Sequence, residues 1–219
     1  MYQPDETCNP LFERSSALAR RLAPVFGQAP KSSKPRFKLS RSFCDIAMEH
    51  AESVRMLLIE GNVGSATGLL RSGFEAILRA VWIHYPAADS AVAKLAERLT
   101  TEESARHADN LPMVREMLDD LETYKGAPVR VLRPLRRFGQ RVLKESNSAV
   151  HSGPLAIYRH RCGYTDELTM HLLRCLNDLL LATARLQVVL SGGRGQGDEL
   201  ALIAREFGDC LPPPEAACR

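Results

Sequence analysis

The sequence is most informative at residues 133–153, which read Arg133-Pro-Leu-Arg-Arg-Phe-Gly-Gln-Arg-Val-Leu-Lys-Glu-Ser-Asn-Ser-Ala-Val-His151-Ser-Gly153. Pro134 suits the first turn of a helix and Gly153 suits its end, so the spacing predicts one helix of about five turns. At about 100° per residue, one side of this helix is apolar. The opposite side carries cations, a hydroxyl and an imidazole, at Arg137, Arg141, Lys144, Ser148 and His151. We expect this basic face to attract an anion.

Helical periodicity continues along the rest of the chain, and no run of alternating β-branched residues interrupts it. Candidate helices cover residues 9–26, 40–60, 63–85, 113–121, 165–190 and 199–207, with a shorter helix and a polar connection over 88–110. The pattern predicts an all-α fold, a helical bundle of four to five long helices with short accessory helices.

The bundle is predicted to occupy residues 40–190. Residues 1–39 are interpreted as an N-terminal helix and linker that form an arm, because Pro30-Lys-Ser-Ser-Lys-Pro35 breaks the helix. Residues 191–219 are interpreted as a Gly-rich linker, a short helix and a tail.

The composition excludes several classes of protein. The 219 residues, 45% of them hydrophobic, suit one domain, and a net charge of +3 leaves only local clusters to indicate a partner. Six cysteines without a Cys-x-x-Cys pair, and a start unlike a signal peptide, predict a reduced, cytoplasmic protein. Charges interrupt the apolar run over 172–190, so we expect no membrane span. We also expect no metal site and no cofactor.

The helix predicted over 63–85 is apolar almost all round, and Arg71, Glu75 and Arg79 supply its charges. Residues spaced by four lie in one line on a helix. Such a line on a central helix can face a groove, an interface or another charged helix. It can also be an internal ion-pair ladder that only supports the helix, and the two interpretations are compatible.

The segment Ser146-Asn-Ser-Ala-Val-His151 resembles the active-site helix of the HEPN superfamily, small helical bundles found in bacterial toxins, abortive-infection systems and nucleotidyltransferase partners. The family's catalytic pattern is an arginine, four to six residues and then a histidine, often Arg-Asn-x-x-x-His. Asn147 and His151 match it, Ser146 stands at the arginine position, and Lys144 is the cation at the longest spacing. Residues 147–153 also follow a looser form, Asn-Ser-x-Val-His-x-Gly. By helix order, the resemblance extends over residues 40–190.

The resemblance implies metal-independent RNA cleavage by an effector of a toxin–antitoxin or phage-defence system. His151 would act as general base or acid on the ribose 2′-hydroxyl, and Lys144 or Arg141 would stabilise the transition state. Glu75 or Arg71 would orient this pair from another helix, and Asn147 would belong to the same catalytic site. Family members usually act as homodimers, and an antitoxin or regulatory protein is a further expected partner.

The expected binding residues for RNA or a nucleotide are Arg71, Arg137, Ser148, Arg159 and His160. Arg159 and His160 belong to residues 154–163, where the sequence predicts an irregular turn that extends the positive patch if it folds back.

The alternative interpretation is a non-catalytic helical interaction protein, a degenerate relative that binds a protein partner through the same face. A purely structural interpretation is also open, in which the basic face is simply solvated and Asn147, Ser148 and His151 cap the end of their helix.

Overall fold

The computed structural model describes residues 4–5, 8–97, 102, 111–193 and 195–213. Within these ranges the chain forms ten α-helices, one 3₁₀-helix and no strand, which confirms the predicted helical bundle. The α-helices are α1 (Asn9–Phe26), α2 (Pro35–Ile59), α3 (Val63–His84), α4 (Asp89–Ala96), α5 (Val114–Thr123), α6 (Val129–Arg141), α7 (Leu143–Val150), α8 (Pro154–Cys162), α9 (Asp166–Ser191) and α10 (Gln196–Glu206), and the 3₁₀-helix is Gly208–Cys210. Most of the predicted polar connection before residue 111, and the tail beyond residue 213, lie outside the described residues.

Helices α2 and α3 form an antiparallel hairpin with the most extensive contact in the bundle. The chain reverses at Gly61, whose φ of 72° lies in the left-handed region that glycine tolerates. Further along, the Ser40 hydroxyl donates to the Ala80 carbonyl at 2.8 Å. Gly73 approaches α2 so closely that a Cβ there would lie 3.4 Å from the Cβ of His50. The hairpin therefore fixes α3 in the middle of the fold.

The leucine-rich helix α9 packs against several other helices, but the sequence predicted it as their main packing partner, and α3 has the more extensive contacts. More than half of its residues are buried, and it contacts α1, α2, α3, α6 and α10. Thr165 caps its first turn by accepting a hydrogen bond from the Leu168 amide at 3.3 Å. Among the described helices, none combines the length and apolar character that crossing a membrane requires.

Helix α1 packs into the common core, whereas the sequence suggested an arm. Leu18 and Leu22 are fully buried. The buried Ser15 hydroxyl donates to Asn177 Oδ1 at 2.6 Å, and Asn177 Nδ2 donates to the Cys210 carbonyl at 2.9 Å. One amide of α9 therefore joins α1 to the 3₁₀-helix, so the N-terminal helix is a structural part of the bundle.

The prediction of a single helix over residues 133–153 is wrong, because this region forms two helices, α6 and α7, which meet at a bend. Val142, with φ of −114° and ψ of −26°, ends one helix and begins the other. Its amide still donates to Phe138 at 2.9 Å, and the Ser146 amide donates to the Val142 carbonyl at 3.0 Å. The chain therefore changes direction at Val142 without losing these helical hydrogen bonds.

Pro134 lies inside α6 and not at its start. Proline has no N–H to donate, so the carbonyl of Arg130 lacks its helical partner. Arg185 of α9 takes that place, because its Nη1 donates to the Arg130 carbonyl at 2.8 Å. The proline thus creates a point at which α9 is attached to α6.

Helix α3 ends at His84, whose imidazole lies between aromatic rings. The ring centroids of Phe37 and Tyr85 lie 5.2 Å and 4.7 Å from it, both edge to face. Burial, followed by the charges of Arg36 and Lys31, lowers the pKa of His84 to about 4. The folded protein therefore keeps this imidazole neutral at neutral pH.

We predict that acidification destabilises the protein through His84. An unfolded histidine binds its proton near pH 6.5, whereas folded His84 binds it only near its pKa of about 4. Its contribution is therefore present above about pH 6.5 and is lost as the pH falls toward about 4. Denaturant titrations across this range should show a flatter pH dependence for His84→Gln. The exposed His160→Gln should behave like the parent, and identical profiles for His84→Gln and the parent would contradict the assignment.

Candidate anion-binding site

The charges of α3 form a ladder, Arg71–Glu75–Arg79, in which one carboxylate serves two guanidinium groups. Arg71 Nη2 lies 2.8 Å from Glu75 Oε1, and Arg79 Nη2 lies 3.2 Å from Glu75 Oε2. The three side chains are largely shielded, with exposed fractions of 18%, 19% and 29% in chain order. The predicted line of charges is therefore a real ion-pair ladder, and it retains one excess positive charge.

Two donors of the ladder lack acceptors. Arg71 Nη1 and Arg79 Nε are shielded from solvent, and neither donates to any group in the part of the chain that the structure describes. Leaving a buried donor unpaired costs about 1–3 kcal/mol, and more when the group is charged. An anion has oxygens that accept such hydrogen bonds, so binding one after a small side-chain movement would relieve both deficits.

The ladder forms one wall of an open groove of about 620 Å³. Helix α7 contributes Leu143 and Asn147, α2 contributes Phe43, and residues 111–115 form the remaining side. This last segment brings the exposed Arg115 to the groove. We call this space the ladder groove. It contains three guanidinium groups and one carboxylate, so it is positive overall.

The ladder groove brings together three residues that the sequence singled out, Arg71, Glu75 and Asn147. The structure adds Arg79 and Arg115. The i, i+4 spacing on α3 already placed Arg79 beside Glu75, whereas nothing in the sequence pattern indicated Arg115.

Three of the five residues predicted for the catalytic site lie elsewhere. His151, Lys144 and Arg141 are all exposed, and none of them lines the ladder groove. His151 ends α7, where its amide donates to the Asn147 carbonyl at 3.1 Å. Lys144 is on the same short helix, but Arg141 is on α6, beyond the bend at Val142. The predicted row is therefore divided between two consecutive helices.

The sequence suggested that Arg137 belongs to a solvated basic face, but the structure shows that it does not. Its Nη1 lies 3.1 Å from Asp178 Oδ2 on α9, and the two side chains are only 10% and 13% exposed. The face of α6 that carries Arg137 is the face that packs on α9. This largely buried ion pair therefore corrects the prediction that one continuous row runs from Arg137 to His151.

Residues 154–163 are helical where an irregular turn was predicted, since α8 covers most of them. The Ser148 hydroxyl accepts a hydrogen bond from the Ala156 amide at 3.1 Å, which caps the first turn of α8. Arg159 Nε lies 2.9 Å from Glu145 Oε1 of α7. Ser148 and Arg159 thus hold α8 against α7, whereas His160 remains exposed.

Sequence reasoning overlooked His171, which lies half-buried on α9. Burial lowers its pKa, the Glu145 carboxylate partly opposes this effect, and Arg141 and Arg174 lower the pKa further. His171 Nε2 lies 3.7 Å from the sulfur of Cys175, one turn later. Burial raises the pKa of Cys175 to about 12, so the thiol stays protonated and is a poor nucleophile. The spacing of His171 and Cys175 was visible, but α9 was interpreted only as a packing helix.

The described residues contain no group of three or more histidine, cysteine, aspartate or glutamate side chains arranged to hold a metal ion. The side chains that line the ladder groove are mostly nitrogen donors and apolar groups. Such a set is suited to an anion and not to a cation.

A family model matches residues 44–213, and the chain belongs to this family, which is described as a family of unknown function (DUF6988). The matched region includes the whole ladder, α7 and residues 111–115. No curated protein and no solved structure gives a significant match.

We predict that Glu75→Gln lowers the free energy of unfolding by about 2–4 kcal/mol, because it leaves two shielded guanidinium groups without their shared carboxylate. Sulfate or phosphate should restore part of this stability by replacing the lost anion. Denaturant titrations with sulfate and with chloride at equal ionic strength measure the difference. The control is Glu199→Gln, which removes the acid of an exposed ion pair with Arg21 and should cost less than about 1 kcal/mol. An equal response of both variants to sulfate would count against an anion site at the ladder.

Proposed function

We propose that this member of the DUF6988 family binds the phosphate groups of RNA or a nucleotide in the ladder groove, as an HEPN-like effector of toxin–antitoxin or phage-defence type. The ladder carries the proposal, because two guanidinium groups share one carboxylate and retain two shielded donors without acceptors. Guanidinium donors match the geometry of phosphate oxygens better than any other side chain.

The other side chains of the ladder groove suit the remaining parts of such a ligand. Asn147 offers an amide that can donate to a phosphate or pair with a base edge, and Arg115 adds a cation at the rim. Phe43 provides an aromatic ring on which a base can stack. Because the groove is open, it can accept an extended single strand as well as a free nucleotide.

Cleavage at this site would use His151 as general base or acid. His151 follows Asn147 by one helical turn and is exposed, so it is accessible to a ligand that leaves the groove along α7. Ser146, which stands at the arginine position of the HEPN pattern, is fully buried, and its hydroxyl donates to the Leu143 carbonyl at 3.1 Å. The transition-state cation would therefore have to be Lys144 or an arginine from another helix. Binding is thus better supported than turnover.

Helix α8 supports the alternative function, in which the chain acts through a protein partner. No residue of α8 is buried, and Leu155, Ile157 and Tyr158 are 37%, 56% and 59% exposed. Large apolar side chains grouped on one exposed helix are typical of protein contact surfaces. A second copy of the chain, or an antitoxin or regulatory protein, would cover these side chains. It would then also lie close to His151, which is three residues before α8.

We predict that Arg79→Gln weakens the binding of single-stranded RNA by about 5- to 30-fold, which corresponds to about 1–2 kcal/mol. This variant keeps the Arg71–Glu75 pair but makes the ladder neutral. The slope of log K against log salt should also decrease by about one. Fluorescence anisotropy with a labelled RNA of mixed sequence measures both quantities.

The matched control for this experiment is Arg21→Gln, which removes the same charge from an exposed ion pair on α1. It should change the affinity by less than about twofold, because its charge is screened by salt. Equal losses in the two variants would show a general charge effect and would contradict binding at the ladder.

We further predict that His151→Ala binds RNA within about twofold of the parent, because His151 does not line the ladder groove. The same variant should lack any metal-independent cleavage, which a gel assay of a mixed RNA pool in EDTA detects. Cleavage by the parent alone would assign acid–base catalysis to His151, and intact RNA with both proteins would restrict the function to binding. A large loss of affinity in His151→Ala would contradict the placement of the ligand.

A further inference from the structure

A second basic groove lies between α6, α9 and α10, and it shares no lining residue with the ladder groove. Its volume is about 500 Å³. Five arginines and one aspartate line it, Arg130, Arg133, Arg137, Arg185, Arg205 and Asp178. We call it the arginine groove.

The aspartate forms a close ion pair with one of these arginines. Asp178 pairs with Arg137 at 3.1 Å, and both side chains are largely buried. In the described part of the chain, the other four arginines form no ion pair with a carboxylate. The groove thus holds five guanidinium groups and one carboxylate, which leaves it with an excess of positive charge.

The fold holds one of these cations in place through the backbone. Pro134 leaves the Arg130 carbonyl without a helical donor, and Arg185 Nη1 occupies it at 2.8 Å. This contact fixes the guanidinium group of Arg185 among like charges. Burial lowers the pKa of Arg185, Asp178 opposes this effect, and Arg130 and Arg133 lower the pKa further. Gathering these cations is electrostatically unfavourable in the free protein, so an anion in the groove would stabilise it.

We propose that the arginine groove binds a chain of phosphates, either a polyphosphate or the backbone of a single-stranded nucleic acid. Arg130 and Arg133 lie on one side of α6, about 5 Å apart along the helix axis, whereas Arg137 is held by Asp178. Arg185 and Arg205 supply the opposite walls from α9 and α10. The arginine groove thus offers successive guanidinium donors to successive phosphates. This site is independent of the function proposed for the ladder groove.

The test is the double variant Arg133→Gln/Arg205→Gln. Both side chains are exposed and lie outside the ion pairs, so the variant should keep the parent's fold, which circular dichroism and thermal unfolding verify. The probes are tripolyphosphate, measured by titration calorimetry, and a labelled single-stranded RNA, measured by anisotropy. We expect each affinity to fall at least about tenfold, with the salt slope reduced by about two. The control is Arg20→Gln/Arg161→Gln, an equal change of charge at exposed positions elsewhere.

The outcomes separate the two possible ligands and the two grooves. If the double variant binds both probes more weakly, the groove is a site for phosphate chains of either source. If it binds only the RNA more weakly, the groove is a site for a nucleic-acid backbone. The proposal is overturned if neither probe binds the parent, or if the double variant and its control behave alike. Arg79→Gln, measured beside them, reports on the ladder groove. RNA binding that is weakened by Arg79→Gln but not by Arg133→Gln/Arg205→Gln supports the proposed function and overturns the arginine groove.

Discussion

The charged ladder depends on one carboxylate, Glu75, which pairs with two guanidinium groups on α3, an otherwise apolar helix. Its apolar residues require burial on nearly every side, and α2, α5, α7 and α9 provide that cover. The ladder cannot be covered in the same way, because burying an excess positive charge without a partner costs several kcal/mol. The neighbouring helices therefore flank the ladder and leave a groove above it. The ladder groove follows from the sequence of α3 and is not an accident of loop shape.

Three contacts place the flanking helices at the right distance from the ladder. The rings of Phe74 and Phe138 stack with centroids 4.3 Å apart and fix α6 beside α3. The Trp82 indole donates to Asp120 at 2.8 Å and fixes α5. Gly68 allows α7 to approach so closely that a Cβ there would lie 3.7 Å from a methyl group of Val150. These contacts are structural, and together they decide how wide the groove is.

The sequence was sufficient to predict those features of the fold that depend on the local spacing of residues. Apolar periodicity identified the long helices, and the interval of four placed the charges of α3 in one line. The bend at Val142 was not predictable, because the helical hydrogen bonds on both sides of it are intact and no breaker residue marks it. The burial of Arg137 was not predictable either, since its partner Asp178 is on a helix distant in sequence. Likewise, the apolar residues of α1 were recognised in the sequence. The contact between α1 and Asn177 of α9 could not be predicted, because it depends on how the two helices pack.

The bend also changes what the basic residues of this region can do. On one straight helix, Arg137, Arg141, Lys144 and His151 would form a single row that serves a single ligand. In the structure, α6 directs Arg130, Arg133 and Arg137 toward α9 and α10, while α7 directs Asn147 toward the ladder. The two grooves also differ in their charge balance. Each groove contains one carboxylate, but the ladder groove has three arginines and the arginine groove has five. The arginine groove would therefore suit several phosphates in succession, and the ladder groove a ligand of more limited charge. The number of phosphates in a ligand should therefore decide which groove it prefers.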